Sequence, residues 1–194
     1  MKLRNLKTNF LGRDFYFYEE IDSTQNEIFR RIKKGQIING SVIMADIQTA
    51  GKGTHGRIWH TDEKGNIAFS FYIQTNCEIE RLDGLTIDIA KILVDMFREK
   101  YKINIQIKEP NDLMINNKKI GGILTQGKIN GKYIKYLVIG IGININKKYF
   151  TNDIKDIATS IKNEFKVNID REEVIAEFCN IFEKEINRRI KVWK

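Results

Sequence analysis

The chain has 194 residues, 42% of them hydrophobic, and its 33 basic and 25 acidic side chains give a net charge of +8. This length and composition predict one domain with its own core. The basic charge favours anionic ligands or partners, although dispersed lysines that serve solubility fit it as well. Two widely separated cysteines exclude a disulfide framework. Because no signal peptide or membrane-spanning apolar run is present, we expect a cytoplasmic protein without membrane contact.

The first predicted elements are a strand, a helix and a second strand. Residues 14–21, DFYFYEEI, form the first strand. Thr24 with Glu27 three residues later is a capping-box signature for a helix, and Gly35 ends that helix. Residues 40–48, GSVIMADIQ, are typical of a buried strand.

The next segment, residues 48–60, is QTAGKGTHGRIWH, which has the glycine spacing G-x-G-x-x-G. A dinucleotide-binding turn of that spacing must open a helix, but the alternating residues 65–74 predict a strand directly after it. A Walker A pattern is also missing. The segment therefore predicts a strand–loop–strand connection that binds an anion, or else a mobile surface loop. Its basic or potentially basic side chains are Lys52, His55 and Arg57.

The second half of the chain continues with a helical stripe over residues 81–101 and a run of short strands over residues 103–146. Asn116-Asn117 and Asn130-Gly131 predict hairpin turns between strands. Two helical segments follow, and the second begins at Asp170. Strands joined by hairpins predict an α+β fold with a mixed, mostly antiparallel sheet and helices packed mainly on one face.

Two further segments carry groups suited to a ligand site. In IKEPNDLMINNKKIGGIL, Lys108 ends a strand and Asn111 and Asp112 follow in a turn. A lysine there would neutralise charge on a bound acid or phosphate, although an ordinary surface lysine fits the pattern too. In VIGIGININ, Gly140 and Gly142 predict either a close backbone approach or a sheet bulge.

Taken in order, these segments resemble the biotin protein ligases. The matching segments are DSTQN from Asp22, QTAGKGTHGR from Gln48, KEPND from Lys108, KIGGIL, GIGIN and ATS from Ala158. The resemblance implies the biotin–lipoate ligase fold, which is similar to that of class II aminoacyl-tRNA synthetases. It implies one catalytic domain over residues 1–194, and we expect neither an N-terminal helix-turn-helix domain nor a C-terminal SH3-like domain.

The activity implied by the resemblance is a two-step ligation. Biotin and ATP, accompanied by Mg²⁺, give biotinyl-5′-AMP, and a lysine of a biotin carboxyl carrier protein domain then takes the biotinyl group. The resemblance also implies a homodimer and no specific DNA binding. The alternatives are a lipoate or octanoate ligase of the same fold, a relative that binds biotin without ligating it, and a nucleic-acid-binding module.

The resemblance also implies roles for individual residues. Catalysis is assigned to Lys108, which would bridge the biotin carboxylate and the α-phosphate, together with Lys52 and Arg57. Biotin contacts are assigned to Ser23, Thr24, Gln25, Gln48, Gly51, Lys52, Gly53, Thr54, Lys108, Leu113, Gly122 and Ile123. Nucleotide contacts are assigned to Lys52, Gly53, Thr54, Arg57, Trp59, Asn111 and Asn144. No metal ligands are assigned to the protein.

The chain departs from the family pattern at several of these positions. Thr54 stands where a second loop arginine is usual, which implies weaker retention of biotinyl-5′-AMP, with His55 or Lys52 compensating in part. Glu109 replaces the tryptophan of K-W-P-N-D. Gln25 replaces the asparagine after Ser-Thr and Asn26 follows one residue late, so either side chain is a candidate for that role.

Overall fold

The computed structural model describes residues 3–61 and 63–190. Its strands form one seven-stranded sheet in the order β1-β2-β3-β7-β6-β5-β4. The strands are β1 (Phe15–Ile21), β2 (Val42–Gln48), β3 (Ile67–Glu78), β4 (Gln106–Lys108), β5 (Asp112–Ile115), β6 (Lys118–Asn130) and β7 (Tyr133–Ile143). The helices are α1 (Thr24–Lys34), α2 (Leu85–Tyr101), α3 (Ile161–Phe165) and α4 (Arg171–Arg189).

The sheet is mixed and mostly antiparallel, as predicted. Only β1 and β2 pair in parallel among these strands, because α1 supplies the crossover that parallel neighbours need. The predicted hairpin turns are confirmed. Asn116 and Asn117 adopt φ of 49° and 63° between β5 and β6, and Gly131 adopts φ of 58° between β6 and β7. Positive φ is the conformation that tight antiparallel hairpins require.

The two faces of the sheet have different partners because successive side chains point to opposite faces. On one face, aromatic side chains of β3 pack against α4, with Phe69 and Phe71 in contact with Phe178. Residues of α2 and α3 belong to the same core. On the other face, α1 packs through Ile28. The helices therefore lie mainly on one face, as predicted, and α1 alone of the four covers the other.

Helix α1 begins one residue earlier than the capping pair predicts. Ser23, and not Thr24, is the N-cap, and its hydroxyl accepts a hydrogen bond from the backbone N–H of Asn26 at 3.4 Å. The predicted end of the helix at Gly35, in the left-handed conformation, is confirmed. The cap at Ser23 leaves Thr24 and Gln25 in the first helical turn, where both side chains are buried.

The start of the described chain is attached to α4. The Glu183 carboxylate, which is buried, accepts hydrogen bonds from the backbone N–H groups of Asn9, Phe10 and Leu11 at 2.6, 3.0 and 2.9 Å. Asp170 caps the same helix, as predicted. These contacts hold together segments that are more than 170 residues apart in sequence.

Among helices in the described ranges, none combines the length and apolar character that a membrane span needs.

Candidate active site

A cavity of about 500 Å³ opens on the α1 side of the sheet, over the central strands β3, β7 and β6. These strands carry small residues in register on that face. Ala68 pairs with Gly142 and Ser70 with Gly140, and Gly122 also pairs with Gly142. The cavity exists because these strands themselves contribute no bulky side chain to this part of the face. The glycines of GIGIN therefore form a cavity floor, and the strand register is regular there, without the bulge that the pattern also allowed.

A hydrogen-bonded polar cluster lies at one end of the cavity. The hydroxyls of Thr24 and Ser70 are 2.8 Å apart, and Ser70 Oγ donates to Gln25 Oε1 at 3.0 Å. Gln48 Oε1 accepts from both the backbone N–H and the hydroxyl of Thr24, at 2.9 and 3.1 Å. Because each member orients the next, the donors and acceptors are fixed before a ligand arrives.

Gln25, and not Asn26, takes the cavity position that the sequence left open. Gln25 Nε2 donates to Val138 O at 3.2 Å and to Gln126 Oε1 at 3.1 Å, so the longer side chain crosses to β7 and β6. Asn26 instead donates to Asp22 Oδ2 at 2.8 Å, outside the cavity.

The glycine-rich segment forms one wall of the cavity, and no α-helix follows it, as predicted. A short 3₁₀ turn at Thr54–Gly56 is succeeded by an extended stretch and β3. The backbone N–H of Trp59 donates to the backbone oxygen of Gly51 at 2.9 Å and closes the base of the loop. The indole of Trp59 lies on the floor, because a Cβ added at Gly142 would be less than 3.0 Å from its ring atoms.

The lining of the cavity is strongly basic. It includes Lys52 and Arg57 from the loop, Lys119 from β6 and Lys147 from the segment after β7. The described lining residues include no Asp or Glu. Lys119 Nζ donates to Oδ1 of Asp112 at 2.5 Å, and Asp112 is not among the lining residues. The same Nζ lies 5.8 Å from the centroid of the Trp59 ring. This charge distribution suits a ligand with several negative groups.

The opposite wall is mostly apolar and comes from the segment between β7 and α3. Its lining side chains are Phe150, Ile154, Ile157 and Ala158. Lys147 is almost fully buried within this wall, with Nζ 5.3 Å from the centroid of the Phe150 ring. Asn144 Nδ2 donates to Thr159 O at 3.2 Å and ties the end of β7 to this segment.

Most residues to which the sequence assigned a site role line this one cavity. They are Ser23, Thr24, Gln25, Gln48, Lys52, Gly53, Thr54, Arg57, Trp59, Asn111, Gly122, Ile123 and Asn144.

Lys108 is the main departure from the predicted site. It is exposed at the end of the edge strand β4 and is not among the residues that line the cavity. Its position does not support the bridging role that the sequence assigned to it. Lys119, on β6 and two strands further into the sheet, lines the cavity instead.

Leu113 and Gly51 also lie outside the lining. Leu113 is fully buried in the main core, because its position on β5 points to the helix-covered face. Gly51 has a structural role instead, in the base of the glycine-rich loop. A Cβ there would lie less than 3.0 Å from Trp59 O, so only glycine allows the two limbs of the loop to approach.

The cavity residues that the sequence analysis did not assign to the site include three polar ones: Ser70, Lys119 and Lys147. Lys119 had a signal, because it begins the segment KIGGIL, whose glycine and isoleucine were assigned to the site. Ser70 is a small polar residue among alternating apolar ones, which is a weaker signal. Lys147 is one of two consecutive lysines, and nothing in the pattern separates it from Lys148.

Comparisons with known proteins agree with this architecture. Residues 17–144 match the model of the Biotin/lipoate A/B protein ligase family. The bifunctional ligase/repressor BirA of Bacillus subtilis is 34% identical over 181 residues, which cover 92% of this chain and 55% of the relative. The chain therefore spans little more than half the length of that relative.

Solved structures of similar proteins have the same fold. A biotin protein ligase from Aquifex aeolicus in complex with biotin and ATP superposes with a TM-score of 0.71 and 29% identity, covering 92% of this chain and 71% of the other. The Leishmania major enzyme in complex with biotinyl-5-AMP gives a TM-score of 0.67 with 25% identity, covering 89% and 76%. With the family model matching well over half of its residues, the chain belongs to the biotin/lipoate A/B protein ligase family.

Proposed function

We propose that the chain ligates biotin to a carrier protein through biotinyl-5′-AMP. The observation that carries the proposal is the composition of the cavity, which joins a fixed polar cluster, a glycine floor and four basic side chains without a described acidic one. An uncharged ring with hydrogen-bond donors and acceptors fits the polar cluster. An acid joined to phosphate fits the basic side chains. The ligands of the similar solved structures, biotin with ATP and biotinyl-5-AMP, have this chemistry.

The polar cluster is the proposed site of the biotin ring. Thr24, Gln48 and Ser70 present hydroxyl and amide groups whose orientation is set by their mutual hydrogen bonds. The ureido group of biotin needs both donors and acceptors, and an analogue without them would leave these buried groups unpaired. Lipoate and octanoate lack such a group, which favours biotin over these acids.

Lys119 is the proposed bridge between the biotin carboxylate and the α-phosphate, in place of Lys108. Two anions must approach closely for the carboxylate oxygen to attack phosphorus and for pyrophosphate to leave. A cation fixed beside both reduces their repulsion without moving during the reaction. The Asp112 carboxylate, 2.5 Å from Lys119 Nζ, orients the ammonium group.

The nucleotide would lie towards Trp59 and the apolar wall formed by Phe150 and its neighbours. An indole on a glycine floor offers a flat surface for a purine, and an apolar wall excludes water that would hydrolyse the mixed anhydride. ATP brings Mg²⁺ as part of the substrate.

The second step requires a lysine of a carrier protein to attack the acyl carbon of the adenylate, forming an amide and releasing AMP. We propose that the carrier is a biotin carboxyl carrier domain and that the chain forms a homodimer. The sheet joins elements from both halves of the chain, which supports the single catalytic domain of the sequence analysis. A cytoplasmic location stays a prediction, and the proposal includes no DNA-binding role.

The test is to incubate the protein with biotin and MgATP and to detect biotinyl-5′-AMP by mass spectrometry. A biotin carboxyl carrier domain is then added, and its mass is expected to rise by one biotinyl group. Parallel reactions with lipoate and octanoate test the alternative acids. Adenylate formed from lipoate or octanoate but not from biotin would contradict the proposal, as would the absence of any adenylate.

A further inference from the structure

The polar cluster at one end of the cavity contains a row of four oxygen atoms with too few hydrogens. In order, the row consists of Gln48 Oε1, Thr24 Oγ1, Ser70 Oγ and Gln25 Oε1. Neighbouring atoms are 3.1, 2.8 and 3.0 Å apart, so all three contacts are within hydrogen-bonding distance. Each hydroxyl carries one hydrogen and an amide oxygen carries none. Two hydrogens therefore serve three contacts, and one contact has no hydrogen whichever way the hydroxyls turn.

Two backbone groups fix the direction in which the amides at the ends of the row face. Gln25 Nε2 donates to Val138 O at 3.2 Å, which leaves Gln25 Oε1 towards Ser70. Gln48 Oε1 accepts from the backbone N–H of Thr24 at 2.9 Å. A flip of either amide would place acceptor against acceptor at Val138 or donor against donor at Thr24. Both ends of the row are therefore hydrogen-bond acceptors.

Gln25 is the member of the row that creates the shortage. Its Nε2 donates to Gln126 Oε1 at 3.1 Å as well as to Val138 O, so both N–H bonds of this amide are used within the protein. Its oxygen accepts the Ser70 hydrogen. If that oxygen were absent, two hydroxyl hydrogens would serve two contacts, and the row would be complete without a ligand.

We propose that Gln25 is a positioning residue that makes the cavity select a ligand with an N–H group at this end. Because Gln25 takes the Ser70 hydrogen and Ser70 takes the Thr24 hydrogen, the ligand supplies the missing one. It donates to Thr24 Oγ1 and Gln48 Oε1. The inference rests on the proposed function, in which the N–H belongs to the ureido ring. Thr24, Gln25 and Ser70 are buried, so a ligand with an acceptor here would leave buried oxygens unpaired and would lose affinity.

The experiment measures two Kd values by isothermal titration calorimetry without ATP. One ligand is biotin, and the other is its cyclic carbonate analogue, in which oxygen replaces both ureido N–H groups. Gln25→Met keeps the length of the side chain but removes the oxygen that takes the Ser70 hydrogen. We expect the preference for biotin, given by the ratio of the two Kd values, to fall by about 5-fold, the equivalent of one hydrogen bond.

Ser70→Ala should also lower this ratio, because it leaves one hydroxyl hydrogen for one contact. Asn26→Ala is the matched control and should leave the ratio unchanged, since that neighbouring amide binds Asp22 outside the cavity. Adding Gln25→Met to Ser70→Ala should have no further effect on the ratio, because Gln25 acts through Ser70.

The ratio separates this role from packing, because a distorted cavity would weaken both ligands alike. An unchanged ratio in Gln25→Met or in Ser70→Ala would overturn the inference, as would a further fall in the double variant. Those results leave the proposed function intact, since biotin would still bind. Failure of the unsubstituted protein to bind biotin would overturn both. Circular dichroism melts show which variants fold, and either single variant is enough for the test.

Discussion

Lys108 ends the edge strand β4 and Lys119 lies on β6, and of these two lysines only Lys119 lines the cavity. Lys119→Ala removes the proposed electrostatic bridge, so we expect adenylate formation to fall by about 100- to 1,000-fold. Lys108→Ala is the control and should retain most of the rate. Pyrophosphate release with biotin and MgATP measures both. A larger loss in Lys108→Ala than in Lys119→Ala would restore the role that the sequence assigned to Lys108.

Gly142 is the floor residue on which the Trp59 indole rests. A Cβ at this position would be less than 3.0 Å from the ring, so Gly142→Ala must displace the indole. We expect a shifted Trp59 emission maximum and weaker ATP binding, measured in a Trp193→Phe background because Trp193 is the other tryptophan. Gly122→Ala is the control for emission, since its Cβ would meet Trp59 at an ordinary 3.7 Å. Unchanged emission in Gly142→Ala would contradict this placement of the indole.

At the scale of elements, α1 presents Thr24 and Gln25 to the cavity, and a charge cluster fixes its first turns. Arg30 Nη2 lies 2.6 Å from Asp22 Oδ1, and this hydrogen bond is the main reason that the pKa of Asp22 lies well below its usual value. A carboxyl group whose pKa is lower in the folded state stabilises the fold above its unfolded pKa of about 4. That contribution is lost as the pH falls through the folded pKa.

We therefore expect Asp22→Asn to lower the Tm at pH 7 and to make a smaller difference at pH 3. Solvent screens this pair, because the Asp22 side chain is 35% exposed. Its contribution should stay below about 1 kcal/mol, or about 2–4 °C for a chain of this size. Asp95→Asn, which breaks the more exposed pair with Arg98, is the control and should have little effect. A Tm difference for Asp22→Asn that grows towards acidic pH would contradict the assignment.

At the scale of the whole molecule, Glu183 joins the start of the described chain to α4. Its buried carboxylate accepts hydrogen bonds from three backbone N–H groups. Glu183→Gln replaces one acceptor oxygen by a donor that faces N–H groups. We expect a loss of about 2 kcal/mol in the free energy of unfolding, measured by urea denaturation. Glu177→Gln on the same helix is the control, and equal losses for the two variants would show that the buried contacts do not contribute.

Much of the fold could be predicted from the sequence because its signals are local. Alternating apolar residues predicted β3, Asn116-Asn117 and Asn130-Gly131 predicted the hairpins, and Asp170 predicted the start of α4. The start of α1 was placed one residue late because Ser23 and Thr24 are both good caps. Only their tertiary contacts distinguish them, since Thr24 uses its hydroxyl to bind Ser70 and Gln48.

The sequence by itself determined the fold class, the loop that replaces a dinucleotide-binding turn, and most of the polar residues that line the cavity. Only the tertiary structure decided between Lys108 and Lys119, between Gln25 and Asn26, and whether Ser70 and Lys147 belong to the site. The physical reason is that the face to which a strand residue points, and its distance from the edge of the sheet, depend on pairing with strands remote in sequence. Lys108 lies on the edge strand β4, whereas Lys119 pairs with Met114 of β5 and bridges to Ala158, which lines the cavity.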